Sequence, residues 1–353
     1  LNQELSFSLL TAWLIPLYGF VGMLVSLPWA AGLFRRVAHR PAAYLNILLT
    51  LLAFVHGSVI LQEVFQSGPV DLSYPWLTVA DLELDISFSL SLTNLVALEL
   101  ITGLSLFSQV YSLGYMDKEW ALARFFALLG FFEGAMSGVV LSDSLFQSYF
   151  LLEMLTLSTY LLVGFWYAQP LVITAARDAF LTKRVGDVLL LMGVVALCSF
   201  AGGMGFNDLY AWAATDSLSP LAATLLGLGL IAGPMGKCAQ FPMHLWLDEA
   251  MEGPNPASIL RNSVVVTCGA IVLLKVMPIL QHSPVALTVL LVIGSISAIG
   301  GSLVALAQVD IKRTLSYSTT AHLGLVFIAI ALQIPVLACC CCSPMPSRKL
   351  CCR

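Results

Sequence analysis

The sequence predicts an all-α polytopic membrane protein with about ten transmembrane helices, and three observations carry that prediction. Of 353 residues, 59% are hydrophobic and only 10% are charged, against roughly 45–50% and about 25% in soluble domains. Twenty acidic and sixteen basic side chains cannot cover the surface of a soluble core of this size, so lipid must cover most of the outside. Apolar stretches of about 20 residues, the length a bilayer core requires, recur ten times along the chain, and the bases between them fall on alternate connections. A net charge of −4 offers no basic footprint for nucleic acid.

The spans read Ala12–Leu33, Tyr44–Val64, Asn94–Tyr115, Ala121–Leu141, Leu145–Phe165, Val185–Ala201, Leu221–Trp246, Ile259–Ile279, Val285–Leu306 and Thr314–Val336. Residues 1–10 are neither basic nor followed by a small-residue cleavage site, so no removable leader is expected and the first span is retained. Arg35, Arg36 and Arg40 lie in the first connection, Lys118 and Arg124 in the third, Arg177, Lys183 and Arg184 in the fifth, and Lys312 and Arg313 in the ninth. The even-numbered connections up to the eighth carry none. By the positive-inside rule the N-terminus is outside and the odd connections are cytoplasmic.

The second connection has a different period. Leu82, Leu84, Ile86, Phe88, Leu90 and Leu92 alternate with Glu83, Asp85, Ser87, Ser89 and Ser91, which is the spacing of a strand. With Pro75–Ala80 before it, residues 75–92 predict a short β-hairpin over the outer membrane face.

Charges inside spans are expensive, about 2.5–3.5 kcal/mol each at a helix centre, so those present must face protein, a counter-charge or water. Lys237 is the strongest candidate because Gly233, Pro234, Gly236 and Pro242 surround it. Proline removes a backbone donor and glycine loosens the turn, which predicts a break in the seventh helix at this lysine. A broken helix at the midplane presents backbone groups and dipole ends to an ion path, and a buried lysine can exchange its proton near neutrality. Glu153, in the middle of the fifth span, is the expected counter-charge, forming a proton-transfer pair with Lys237. Glu133 in the fourth span has no partner that can be named from sequence, and relay and passive burial stand level there. His244 either loads protons at the inner end of the seventh helix or serves as a structural hydrogen bonder. Asp187 and Asp310 lie beside bases and read as local ion pairs, Glu99 is weaker, and Lys275 reads as a lysine that snorkels to the interface. No metal-ligand spacing, phosphate loop, dinucleotide fingerprint or nucleophile elbow is present, so no cofactor or metal is expected in this chain.

The run from Gly236 to Leu247, Gly-Lys-Cys-Ala-Gln-Phe-Pro-Met-His-Leu-Trp-Leu, followed by Asp-Glu-Ala-Met-Glu-Gly-Pro, resembles the signature of the antiporter-like membrane subunits of complex I and Mrp complexes. Arg184-Val185-Gly186-Asp187 and the segment from Asp310 to Thr319 match in the same order, and the resemblance spans about residues 12–338. It looks closest to the chain-five branch found in the cyanobacterial type I NAD(P)H dehydrogenase. The resemblance implies a fourteen-helix fold built on two inverted five-helix repeats. On that plan residues 1–115 hold helices 1–3 and the hairpin, 121–280 the first repeat, and 285–338 the start of a truncated second repeat. It also implies a proton-translocating subunit of a thylakoid plastoquinone reductase, with quinone and iron–sulfur clusters in partner subunits and another antiporter-like subunit as neighbour. A cation/proton antiporter subunit of the Mrp type, or an inactive fragment, is the alternative. The family usually begins its eighth span with histidine where this chain has Arg261. Arginine does not deprotonate in practice, so a fixed charge, a gate or an anchor, replaces a relay. This pattern resembles variants in forms coupled to carbon dioxide uptake, which implies a peripheral carbon dioxide hydrating partner.

Cys198, Cys238 and Cys268 are singly spaced and read as packing residues, but the other six of nine cysteines crowd into residues 339–352. Cys-Cys-Cys-Cys-Ser-Pro suits no membrane helix, and a shifted reading frame with permissible codons restores an apolar, family-like continuation. Residues 339–353 are therefore expected to be a frameshifted tail, with a palmitoylated or metal-binding cysteine cluster as the alternative.

Overall fold

The computed structural model describes residues 6–33, 40–79, 82–215 and 218–334; the cysteine-rich tail lies outside the described residues. Ten principal helices occur in the predicted order. They are α1 (Leu14–Ala30), α2 (Arg40–Ser67), α3 (Leu92–Tyr115), α4 (Leu122–Leu141), α5 (Leu145–Val163), α6 (Pro170–Ala201), α7 (Pro220–Lys237), α8 (Asn255–Leu280), α9 (Pro284–Ala307) and α10 (Ile311–Ala331). Eight of the described helices are long and apolar enough to cross a bilayer; α1, of 17 residues, and α7, of 18, complete the ten. The protein is a multi-pass integral membrane protein.

Local chemistry sets several helix starts. Ser219 and Ser283 each accept a hydrogen bond from the backbone N–H three residues on, with Pro220 and Pro284 at the first helical position, where a missing N–H costs nothing. Asp310 caps α10 by accepting from Lys312 N at 2.8 Å.

Almost every side chain of α4 is buried. α1 lies so close to it that a Cβ on Gly19 would meet the Gly130 carbonyl oxygen at 2.7 Å, so only glycine permits this crossing. At the other extreme α9 leaves Val292, Ile296, Ile299 and Leu303 exposed. These four recur every three or four residues and form one apolar stripe for lipid.

Two predicted boundaries change. The sixth helix begins at Pro170 rather than Val185 and, at 1.5 Å per residue, runs about 48 Å, more than a bilayer core. The charges that ended the hydropathy window, Arg177, Asp178 and Arg184, are accommodated on its exposed side, while Ala175, Ala176 and Ala179 pack inward. The hairpin starts earlier than predicted, as β1 (Val70–Val79) paired antiparallel with β2 (Leu82–Leu90). Leu72, Phe88 and Leu90 are buried at its base, and Ser87 O accepts from Asp143 N at 3.0 Å, which ties the hairpin to the α4–α5 turn.

Candidate functional site

α7 does not break at its Gly-Pro-Met-Gly run. It stays helical through Pro234 and Gly236 and ends on Lys237; the irregular stretch is 238–244, after which a short helix, Leu245–Glu249, resumes the path. The carbonyls left open where the helix ends are re-satisfied by residues beyond Lys237, and the irregular stretch is itself bonded to α9 and α10. Cys238 N donates to Pro234 O at 2.8 Å, Gln240 N to Met235 O at 3.0 Å, and Phe241 N to Ser297 Oγ at 2.9 Å. Trp246 Nε1 donates to Gly236 O at 2.8 Å, and Gln240 Nε2 bridges Cys238 O and Thr320 O. Lys237 therefore sits at the C-terminus of a half-helix, where the helix dipole favours a cation. Gly269 of α8 makes room for it, since a Cβ there would lie 2.8 Å from that of Lys237.

Lys237 is 1% exposed. Its Nζ donates to Asp187 Oδ2 at 2.7 Å, to Thr156 Oγ1, and to Leu152 O at 3.4 Å. Asp187 is equally buried, and among the described residues its Oδ1 has no hydrogen-bond partner. The expected pairing with Glu153 is thus incorrect: the counter-charge is Asp187. Helix geometry gives the reason. Leu152 and Thr156, four residues apart, share the face of α5 turned to Lys237, whereas Glu153 is a 100° step round the helix. Glu153 instead accepts from Arg184 and, at 3.0 Å, from Tyr149 OH.

Lys183, which hydropathy places among the loop bases, is also fully buried. Its Nζ donates to Thr159 Oγ1 at 2.6 Å and lies 4.3 Å from the centroid of the Trp246 ring. The sequence did hold a signal for it: Lys183 and Asp187 are four apart on one helix and so share a face, which turns both toward α5 and α7.

Arg261 is buried at the head of a π-helical turn, Arg261–Val265, inside α8. It donates to Ser258 Oγ at 3.2 Å and contacts Met251 Sδ at 3.5 Å, its Nε has no partner, and among the described residues it forms no ion pair. Beside it a cavity of about 550 Å³ opens between α8 and α10, lined by Ser258, Asn262, Thr267, Lys312, Ser318 and His322. His244 stacks near Phe241, with ring centroids 5.9 Å apart, and faces Tyr317; its Nδ1 is buried and has no hydrogen-bond partner among the described residues. Arg313 lies 3.7 Å from Asp248 and 3.6 Å from Glu252.

Glu133 belongs to a different place. Its partners are Thr50 of α2 and Ser105 and Gln109 of α3, and none of the Lys237 group touches it. Lys275, expected to snorkel, instead donates to Val140 O and, at 2.6 Å, to Ser142 O, satisfying carbonyls at the end of α4. Above it a polar cavity of about 590 Å³ lies under the hairpin, lined by Asp71, Asp85, Asp143 and Asp208. Burial pushes the Asp143 carboxyl up to about 6, and the charge of Asp71 adds to the shift.

The arrangement at Lys237 holds a charge in the protein interior against one carboxylate, with the Thr156 hydroxyl touching both partners. Residues 142–338 match the profile of the family described as NADH:quinone oxidoreductase/Mrp antiporter, TM. Residues 76–126 match that of NADH-Ubiquinone oxidoreductase (complex I), chain 5 N-terminus. The NAD(P)H-quinone oxidoreductase subunit 5, organellar chromatophore 2, of Paulinella chromatophora is 75% identical over 340 residues, covering 96% of this chain and 55% of that protein. The chloroplastic subunit 5 of Brachypodium distachyon is 34% identical over 335 residues, 91% of this chain and 44% of that one. The chain thus spans about half the length of the curated relatives it matches. In fold it is similar to the Mrp complex from Dietzia sp. DQ12-45-1b, with a TM-score of 0.78 at 22% identity over 94% of this chain and 36% of that one. It also resembles the archaeal membrane-bound sulfane sulfur reductase, with a TM-score of 0.80 at 16% identity over 91% of this chain and 64% of that one.

Proposed function

The chain belongs to the NADH:quinone oxidoreductase/Mrp antiporter membrane family, and from that premise we propose that it moves protons across a membrane as a subunit of an NAD(P)H-quinone oxidoreductase. The observation that carries the proposal is the buried Lys237–Asp187 pair, 2.7 Å apart, at the end of a half-helix. A buried ion pair adds little stability over apolar packing, so its presence at a helix break points to exchange rather than support. When Lys237 passes its proton on, Asp187 can take one at the free Oδ1, and Thr156, bonded to both, can turn its hydroxyl between them. Lys183, one turn away on α6 and held over the Trp246 ring, stands toward the inner face as the group that reloads this pair. His244 stands on the side toward α10, and Arg261 sets a fixed charge, a gate or an anchor, on the side toward α8.

Identity of 75% to a quinone oxidoreductase subunit, against 22% to the Mrp structure, favours the oxidoreductase over a free-standing cation/proton antiporter. In this reading the chain holds no redox centre, and quinone and iron–sulfur chemistry lie in partner subunits, with a second antiporter-like subunit as neighbour. Residues 121–280 form the first five-helix repeat and 285–338 open the second. Arg261 in the place of the family's histidine supports the form coupled to carbon dioxide uptake, with a peripheral hydrating subunit as partner, in a thylakoid membrane with the N-terminus luminal. The test is the full-length subunit carrying Lys237→Ala in its assembled complex, reconstituted in vesicles. Electron transfer should continue while coupled acidification of the lumen stops; undiminished acidification overturns the proposal.

A further inference from the structure

Glu133, buried, and Glu99, half-buried with its Oε1 enclosed, are carboxyls that the Lys237 site leaves unused, and they lie along one line. On α3, Glu99, Thr102, Ser105 and Gln109 succeed one another at steps of three, three and four residues, which puts them on a single face. The facing stripe of α2 holds Thr50 and Ser58. The contacts run antiparallel, Ser58 with Glu99 and Thr50 with Gln109, and Glu133 enters from α4 between them. Glu99 to Gln109 covers about 15 Å at 1.5 Å per residue, half of a bilayer core of about 30 Å. Toward the inner face the line continues through Asn46, which donates to Gly22 O at 3.2 Å and to Ser26 of α1.

The bonding at both carboxyls is lopsided. Glu133 Oε2 accepts from Thr50 Oγ1 at 2.5 Å, from Ser105 Oγ at 3.2 Å and from Gln109 Nε2 at 3.2 Å. Among the described residues its Oε1 has no partner, and neither do the buried Gln109 Oε1 and Ser137 Oγ. Glu99 repeats the pattern, with Oε2 accepting from Ser58 Oγ at 3.0 Å and Oε1 bare. Gly57 leaves the space in which that bare oxygen sits, since a Cβ there would come within 2.5 Å of it. Among the described residues neither glutamate forms an ion pair.

Packing does not account for this. Serine, threonine and glutamine suffice to bond helices together in a membrane, and glutamine at either position would keep the hydroxyl contacts without a carboxyl. Carboxyls in a span are costly, and bare buried oxygens add to the cost unless water reaches them. Residues of this kind are retained for what they carry.

We propose that α2, α3 and α4 enclose a second proton-carrying file, with Glu133 as its central carboxyl and Glu99 as its outer one, separate from the Lys237 centre. Uptake forms an O–H bond at Glu133 Oε1 with a proton taken from a hydronium ion on the inner side. Release breaks that bond and hands the proton through water to Glu99 Oε1 and on to the outer face. No electron changes hands. The inference shares with the proposed function only the identity of the ion.

The test is dicyclohexylcarbodiimide labelling of the full-length subunit in its complex, since the reagent attacks protonated carboxyls in apolar surroundings, followed by peptide mass mapping. Adducts are expected at Glu133 and Glu99, falling as pH rises, insensitive to sodium chloride, and absent at residue 133 in Glu133→Gln. Thr50→Val, which keeps the carboxyl but removes its shortest bond, should raise labelling at residue 133. No adduct at Glu133 at any pH overturns the file, and protection by sodium at fixed pH would make it a sodium site instead. The Lys237→Ala complex separates the two ideas: labelling of Glu133 should persist there, and its loss would reduce the two centres to one pathway.

Discussion

Lys237 and Glu133 are both about 1% exposed, yet the protein handles the two charges in opposite ways. At Lys237 the helix stops, the cation rests on a helix C-terminus, and a carboxylate of opposite sign sits 2.7 Å away. At Glu133 the helix runs on unbroken from Leu122 to Leu141, and only neutral donors surround the carboxyl. Compensation by a charge makes each partner depend on the other. Compensation by hydroxyls and an amide lets the carboxyl gain or lose a proton without orphaning a neighbour. The first centre suits an exchange that must stay coupled to something else, and the second suits a conduit.

The largest effect should come from removing the counter-charge at the first centre. Asp187→Ala leaves Lys237 buried without a carboxylate, which typically costs about 3–5 kcal/mol, and should lower the unfolding temperature of the purified complex strongly. Replacing both members by Lys237→Met and Asp187→Leu should recover most of that loss while leaving transport dead. A double variant as unstable as Asp187→Ala would break the view that the two form one buried pair. At the second centre the matching change, Glu133→Gln, orphans no base and should leave stability within about 1 kcal/mol.

Next comes Thr50→Val, which removes the 2.5 Å bond to Glu133 and the acceptor of Gln109 Nε2. A hydrogen bond to a charged group contributes about 1.5–3 kcal/mol, so a loss in that range, read from denaturation in detergent, marks Glu133 as ionised in the resting protein. A loss well below it marks the carboxyl as neutral.

Which features were legible in the sequence depends on which physical signals are local. Helix count came from runs of about 20 apolar residues, and all ten runs became helices. Proline and glycine around Lys237 announced an interrupted helix, although tertiary bonds carried α7 as far as the lysine itself and moved the break to 238–244. Partners were not legible, because pairing depends on which faces of α5, α6 and α7 meet. Glu153 looked like the counter-charge because it is acidic and central, but the helix turns it toward Arg184. Lys183 looked like a loop base and Asp187 like half of a local ion pair, because the predicted sixth helix began at Val185, 15 residues after its true start at Pro170. The donors around Glu133 were invisible for the same reason, since Thr50, Ser105 and Gln109 lie on two other helices.

Glu153 gives the next, smaller test. Its contact with Arg184 pairs side chains that are 19% and 47% exposed, whereas those of Lys237 and Asp187 are each 1% exposed and fully enclosed by protein. Glu153→Gln should therefore change the unfolding temperature far less than Asp187→Asn measured in parallel. Equal losses would mean that Glu153 and Asp187 share the compensation of Lys237 after all.

The smallest effect belongs to a third carboxyl, Asp143, which lies outside the membrane spans and contrasts with both centres by its access to solvent. Burial raises it from 3.8 to about 6; Asp71 and Asp208 push the same way, and Lys275 opposes them. A carboxyl whose value is raised by folding favours the folded state while protonated. Its stabilising contribution is complete below 3.8 and is lost as pH rises through about 6. Asp143→Asn fixes the neutral form and leaves intact the backbone bonds of residue 143 to Ser87 and Phe206. The variant should match the native protein in unfolding temperature under acidic conditions and exceed it slightly above pH 6. The gain should open across that window and stay level beyond it. A difference that does not vary with pH would show that the carboxyl ionises as it would in water, and that the cavity under the hairpin is wetter than its lining implies.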